Sequence, residues 1–301
     1  MTSGDSPVVA RRRVRLALRE AREGCGYTQG QVAEAMEWSL SKVMRIESGE
    51  VAISVNDLRP LLAHLGIADR ATVDELTQAA RASRGRQEWW NQPRFRETLT
   101  APMRHLIQYE AGATAFHYFH QGNIPGPLQT PAYARAMLGR YRDLDELTDH
   151  EVDGRYDARM RRRDQLLRRS DRFVVSALID ESALHRWVGG AAVTGEQLSD
   201  LIIRTEDVRY KIRIIQFESD SPAMSLGAFE ILDLDQPGND QNAVMYRESH
   251  TVDEILEDPA KIRRHRDIFD LLWQGALDEQ SSATLIEQRA KDLARSARPS
   301  G

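Results

Sequence analysis

"TQGQVAEAMEWSLSKVMRIESGE", from Thr28 to Glu50, holds two short helical patterns separated by only a few residues. Thr28 and Gln31 form a T-x-x-Q capping box, in which the hydroxyl takes the Gln31 backbone N–H and the Gln31 side chain reaches back. A helix therefore starts at Thr28, with Tyr27 and Val32 placed for a hydrophobic staple. Ala33 is small where two helices must approach closely, and Val32 and Met36 share one face. The helix is expected to end near Glu37–Trp38, where Ser39 can cap the next one. That second helix carries Val43 and Ile46 inward, three apart, and leaves Leu40, Ser41, Lys42, Met44 and Arg45 nearer the outside. Gly49 follows as a C-terminal stop. Two short helices, a tight turn and a small interior residue make a helix-turn-helix.

Outside this stretch, composition narrows the choices. With 301 residues, one large domain or two are expected, and 41% hydrophobic with 29% charged residues is ordinary for a soluble globular chain. No apolar run approaches the roughly 20 residues of a membrane span. "MTSGDSPVVARRRVR" lacks the apolar core of a signal peptide. The single Cys25 cannot form an internal disulfide, which points to a reducing, cytoplasmic setting; its position suits the core between the first two helices. A net charge of -5 excludes a polycation, so nucleic acid must be met by a local basic surface. "RRRVRLALR" (Arg11 to Arg19) is expected to place most of its charges on a solvated helix face, one or two of them near phosphate.

Residues up to Arg84 read as consecutive short helices with no strand signal. "RASRGRQEWWNQPRF" (Arg81 to Phe95) mixes Arg, Gly, Gln and Pro with paired tryptophans and marks a boundary, giving domains 1–84 and 85–301. Beyond it, "RFVVSALID" (Arg172 to Asp180), "YKIRIIQF" (Tyr210 to Phe217), "GAFEILDL" (Gly227 to Leu234) and "AVMYRES" (Ala243 to Ser249) are strand-like. Helical patterns alternate with them at Pro131 to Tyr141, Thr148 to Arg169, Thr194 to Asp207 and Pro259 to about Arg295. The expected fold is α+β overall: an all-α first domain, then a mixed α/β domain.

The pattern T-Q-x-x-[LV]-A followed by S-x-x-[ILV]-x-x-[ILV]-E-x-G resembles the lambda-repressor/Cro-like, or xenobiotic-response-element, DNA-binding family. "LREAREGCGY" upstream and "SVNDLRPLLAHLGI" downstream match its first and fourth helices. The resemblance implies a five-helix domain that binds double-stranded DNA, with one helix across the backbone and the next in the major groove. Ser39 to Ser48 then corresponds to the recognition helix. Leu40, Ser41 and Arg45 fall where base edges are read, behind Ser39, and Lys42 where phosphate or base is met. Gln29 matches a phosphate-gripping position. Arg45 is the leading candidate for base specificity, because a guanidinium can bind guanine O6 and N7 together. Leu40 departs from the frequent polar residue; it can meet a thymine methyl or pack inward. Arg22 and Glu47 match a structural pair tying the first helix to the recognition helix. Palindromic operators imply a homodimer.

The rest of the chain is similar to a second pattern. "IPGPLQTPAYARAML" (Ile124 to Leu138) resembles the V-P-G-L-L-Q-T-x-x-Y-A-R-A signature of actinobacterial WhiJ-like regulators. "RMRRRDQLLRR", "VVSALIDESALHRWVGG", "EQLSDLI" and "ALDEQSSATLIEQ" continue the agreement, with Pro127 for the usual Leu and Arg163 near a frequent Gln as departures. The resemblance implies a regulator whose second domain answers to a small-molecule effector or to a small protein encoded by a neighbouring gene; an antitoxin-like role is the alternative. Pro125, Pro127 and Pro131 stiffen the segment, so little entropy is lost on holding it against a partner. Ile124, Leu128, Gln129, Thr130 and Tyr133 are the candidate binding residues there. A purely structural turn, with Thr130 capping the helix that starts at Pro131, is the competing reading.

Nothing in the sequence assembles a catalytic group. Asp180 and Glu181 end a strand-like run but have no nucleophile, metal cluster or phosphate loop beside them, so they read as caps. His117 and His120, in "AFHYFH", have no carboxylate or thiol partner nearby in sequence. Arg155 to Arg169 is interrupted by Asp157 and Asp164 and reads as a solvated face. No enzyme activity, metal or cofactor is expected.

Overall fold

The computed structural model describes residues 7–84, 89–145, 147–169, 172–220, 225–248 and 253–296. The chain divides into two compact units, Met1–Glu88 and Trp89–Gly301. The boundary expected between residues 84 and 85 falls just ahead of that division; residues 85–88, and Ser249 at the end of an expected strand, lie outside the described residues.

Five helices build the first unit: α1 (Pro7–Gly24), α2 (Gln29–Ala35), α3 (Leu40–Glu47), α4 (Val55–His64) and α5 (Arg70–Ala82). Thr28 makes both arms of its capping box, accepting from the Gln31 N–H while its own N–H donates to the Gln31 side chain at 2.8 Å. Ser39, Ser54 and Asp69 cap α3, α4 and α5, each accepting the N–H three residues on. A short polar residue thus restarts the chain each time. Val32, Ala33, Val43 and Ile46 pack with Leu18, Leu58 and Leu62 in one core. The turn between α2 and α3 holds Glu37 at φ 55°, in the left-handed region.

Three expectations for this unit are corrected. Tyr27, expected to staple onto Val32, stacks on His64 with ring centroids 5.3 Å apart. Cys25 is exposed: α1 ends at Gly24 and Gly26, at φ 72°, swings the chain round, so the thiol lies outside the core, 3.5 Å from the Leu65 carbonyl. Arg12 and Arg15 are buried rather than solvated, because their face of α1 is the one turned toward the core. The Arg15 stem lies against Gly49, where a Cβ would meet it at 3.1 Å.

The second unit contains α6 (Pro93–Thr98), α7 (Ala101–Glu110), β1 (Ala115–His120), α8 (Pro131–Asp145), α9 (Asp149–Arg168), β2 (Val174–Asp180), α10 (Ser182–His185), α11 (Ala191–Thr205), β3 (Tyr210–Ile215), β4 (Phe229–Asp233), β5 (Ala243–Glu248), β6 (Asp253–Leu256), α12 (Pro259–Gly275) and α13 (Glu279–Ser296). The sheet order is β3-β2-β1-β4-β5-β6. β1, β2 and β3 run parallel; β4, β5 and β6 continue antiparallel from β1. The strand-like runs all became strands, and β6, α6, α7 and α10 join them without having been expected. The long C-terminal helical stretch is two helices: α12 stops at Gly275, Leu277 donates to Ile214 at 3.0 Å, and Asp278 caps the restart.

Register assigns each sheet face. Opposed residues of antiparallel neighbours share a face, so His117, Ile231 and Met245 lie together, as do Tyr118, Glu230 and Tyr246. The first face is covered by Ile262, Phe269 and Leu272 of α12. The second is more polar. Arg162 of α9 reaches Glu230, on that face, at 3.7 Å. α9 is therefore not the solvated basic helix its composition suggested. Arg162 and Arg163 are buried, and Gly154 packs so closely on Thr98 of α6 that there is no room for a side chain. The charges turned inward because acidic partners from other elements meet them: Glu110 of α7 and Asp200 of α11.

Candidate functional site

On the first unit, several polar side chains on and beside α3 are engaged within the domain. Ser39 faces solvent but its hydroxyl is committed to the Lys42 N–H at 3.2 Å. Lys42 does not project as an open cation. Its ammonium stands 3.8 Å from the Trp38 ring centroid and 3.2 Å from the Asp57 carboxylate, linking α3 to α4. Gln29 is half-buried, and its Nε2 donates to Glu47 Oε2 at 2.8 Å. Glu47 also receives Arg22 through two parallel hydrogen bonds, at 2.6 and 3.0 Å, so the expected pair is formed.

What remains outward on α3 is Leu40, Ser41, Met44 and Arg45. Leu40 is 49% exposed and Met44 is 50% exposed, one helical turn apart. Leu40 therefore takes the outward of its two expected positions. Arg45 is open to solvent and meets Glu50 at 3.5 Å across an exposed pair. A mixed strip of two large apolar groups, a hydroxyl and a guanidinium suits a surface that is covered in use, since exposed apolar groups of this size gain from being covered. Its chemistry matches base edges: apolar contact for thymine methyls, and a guanidinium for guanine.

In the second unit, Ile124, Leu128, Gln129, Thr130 and Tyr133 are all buried, so they form no exposed docking surface. That expectation is corrected, and the reason is hydrogen bonding. Gln129 Nε2 donates to the Ile124 carbonyl at 2.7 Å, and the Thr130 N–H donates to Gln197 at 2.6 Å. Gln197 and Arg163 donate to the Leu128 carbonyl. The polar side chains of Gln129 and Thr130 are thus engaged from inside, whereas the buried Tyr133 hydroxyl has no hydrogen-bond partner among the described residues. Thr130 also accepts from the Tyr133 N–H, at 3.4 Å, in the capping position expected for it.

Two of those five residues still face open space, because Ile124 and Gln129, with Gly126 between them, line a cavity of about 700 Å³. It lies on the polar face of the sheet, where His120, Glu230 and Tyr246 contribute to its wall. α9 lines it with Arg155, Arg159 and Arg162, spaced so that one helix face carries all three. Apolar side chains from α7 and α8, such as Met103, Met137 and Leu138, supply the rest. Arg162 is neutralised by a bidentate pair with Glu110, at 2.8 and 2.7 Å, and its pKa is raised despite burial because Glu110 and Glu230 favour the charged form. His120 bridges Asn123 at 2.9 Å and Glu230 at 3.4 Å. The cavity was not legible in the sequence, since its walls come from segments more than a hundred residues apart; the one local signal is the four-residue spacing of arginines on α9.

The histidines of β1 do find carboxylates, supplied across the sheet rather than along the chain. His117 meets Asp233 at 3.2 Å and His120 meets Glu230. Asp233 also binds Arg266 at 2.6 Å. Burial pushes the Asp233 carboxyl upward, but His117 and Arg266 outweigh it and hold the group below the ordinary value. Asp180 caps Ser182 at 2.9 Å, as its position suggested, whereas Glu181 accepts the Phe217 N–H at 3.0 Å and faces His185. Among the described residues, no group of three or more His, Cys, Asp or Glu side chains is arranged to hold a metal ion, and no helix is long and apolar enough to cross a membrane.

Two family models match the chain. Residues 14–76 match the family model described as "Helix-turn-helix domain". Residues 103–288 match the model described as "Domain of unknown function (DUF5753)", and the chain belongs to that family. No curated protein and no solved structure matches the chain.

Proposed function

We propose that this member of the DUF5753 family is a sequence-specific regulator of transcription that binds double-stranded DNA through α3. The observation that carries the reading is the outward strip Leu40, Ser41, Met44 and Arg45, presented by a capped two-helix scaffold inside a matched helix-turn-helix domain. The similarity of the second domain to WhiJ-like regulators supports assigning it the input role, answering to an effector or partner, rather than a catalytic one. A homodimer on palindromic operators, in the cytoplasm and on the nucleoid, completes the proposal.

Mapping the genomic sites of this protein in its own host tests it, followed by footprinting on the sites found. A dimer protects two half-sites whose centres lie about 34 Å apart, or a multiple of that distance. Binding that follows salt alone and shows no recurrent sequence would overturn the proposal, because nonspecific association is mostly counterion release.

A further inference from the structure

Arg155 and Arg159 stand one turn apart on α9, and both line the 700 Å³ cavity. Their neighbours on the same helix are satisfied by protein groups: Arg162 by Glu110, Arg163 by Asp200, Arg168 by Asp164. Among the described residues neither Arg155 nor Arg159 has a carboxylate within 4.0 Å. Arg159 donates to the Gln129 amide oxygen at 3.1 Å, a neutral acceptor. Both residues are half-buried, and a half-buried guanidinium without an ion pair gains from an anionic partner. Accordingly, burial lowers the Arg159 pKa, Glu248 recovers part of that from beyond ion-pair distance, and Arg162 repels it further.

The carboxylates sharing the cavity do not fill this need. Glu230 lies against Arg162 and His120. Asp253 takes the hydroxyls of Thr100 and Tyr246. Glu248 is exposed. Met103, Met137, Leu138 and Leu144 supply an apolar side to the remaining wall, which they share with polar groups such as Thr100, His120 and Asn123. The volume falls within the roughly 300–1,000 Å³ of small-molecule sites. A pocket with apolar side chains on one side and two guanidinium groups without an ion pair at one wall complements a particular shape of charge.

We propose that this cavity binds a small amphipathic organic anion, with its carboxylate or phosphate head on Arg155 and Arg159 and its apolar body along the α7 and α8 walls. The inference deepens the reading of the second domain as the input domain and names the class of effector it takes.

Isothermal titration calorimetry on the full chain, using decanoate, decyl phosphate, decylamine and decanol below their aggregation limits, tests the proposal. The expected result is that at least one of the two anions binds about tenfold or more tightly than either the amine or the alcohol, and the better anion tells carboxylate from phosphate. Arg155→Gln and Arg159→Gln each weaken that anion by about tenfold, while Arg168→Gln, outside the cavity, leaves it unchanged. Should Arg159→Gln lose its fold along with the Gln129 contact, Arg155→Gln carries the test, since no hydrogen bond in the described residues depends on it. Equal binding of all four probes, binding by neither anion, or wild-type affinity in Arg155→Gln would overturn the site. DNA affinity measured with and without the bound anion separates the two readings: binding that leaves DNA affinity unchanged keeps the site and removes the input role.

Discussion

Arg22 Nε and Nη2 lie 2.6 and 3.0 Å from the two carboxylate oxygens of Glu47, which fastens the last turn of α1 to the last residue of α3. Both side chains are nearly buried, at 11% and 9% exposure, and Gln29 adds a third arm. Arg22→Ala leaves Glu47 charged and without its main partner, and is expected to lower stability by roughly 3 kcal/mol, the low end of what breaking a buried pair costs. Urea denaturation of the full chain measures it. Glu47→Ala should cost much less in the Arg22→Ala background than alone; an unchanged unfolding midpoint would show that the pair contributes nothing.

The recognition face separates charge from apolar readout. Arg45→Ala should lose about 1–3 kcal/mol of operator affinity and relax one base position. Leu40→Ala and Met44→Ala should weaken binding at constant salt slope, because they remove apolar contact only. Gln29→Ala, which loosens the support of α3 rather than a base contact, should weaken all sequences alike. Selection of binding sites from a random pool compares the profiles, and identical profiles for Arg45→Ala and Gln29→Ala would refute the assignment.

Glu37 sits at φ 55° in the turn between α2 and α3 and is exposed. A non-glycine residue there carries strain of order 1–3 kcal/mol, against a glycine entropy cost of about 0.5–1 kcal/mol. Glu37→Gly is therefore expected to stabilise the first unit by about 1 kcal/mol. A lower melting temperature would mean that the side chain makes a compensating contact.

Asp233 supplies the pH dependence. Its folded pKa is depressed, so the stability it contributes is present above the unfolded value, near 3.9, and is lost as pH falls through the lower folded value. Asp233→Asn should be less stable than wild type at neutral pH, where it leaves Arg266 and His117 short of a charge. The gap should close toward about pH 2. Unfolding midpoints recorded from neutral to acid check this; parallel curves would show that Asp233 is not the group responsible.

Local chemistry made much of the molecule readable from residues alone. The Thr28 and Ser39 caps, the three-residue spacing of Val43 and Ile46, and the β-branched runs act over a few residues, so their meaning does not depend on what lies across the fold. The Arg22–Glu47 pair was legible only through the family pattern, because 25 residues separate its partners. What the chain did not disclose is where its charges would go. Arg162 reads as solvated next to Asp157 and Asp164, yet its partner is Glu110, brought beside it by the packing of α7 and α9 onto one sheet face. His117 lacks a carboxylate along the chain and acquires Asp233 by strand pairing. Gln129 and Tyr133 read as candidate binding groups and are interior, in a segment whose backbone Gln197 and Arg163 hold from inside at Thr130 and Leu128. Capping and periodicity are interactions between neighbours and are written in order along the sequence. Burial and charge pairing depend on distance in space, and only the folded chain sets which distant groups meet.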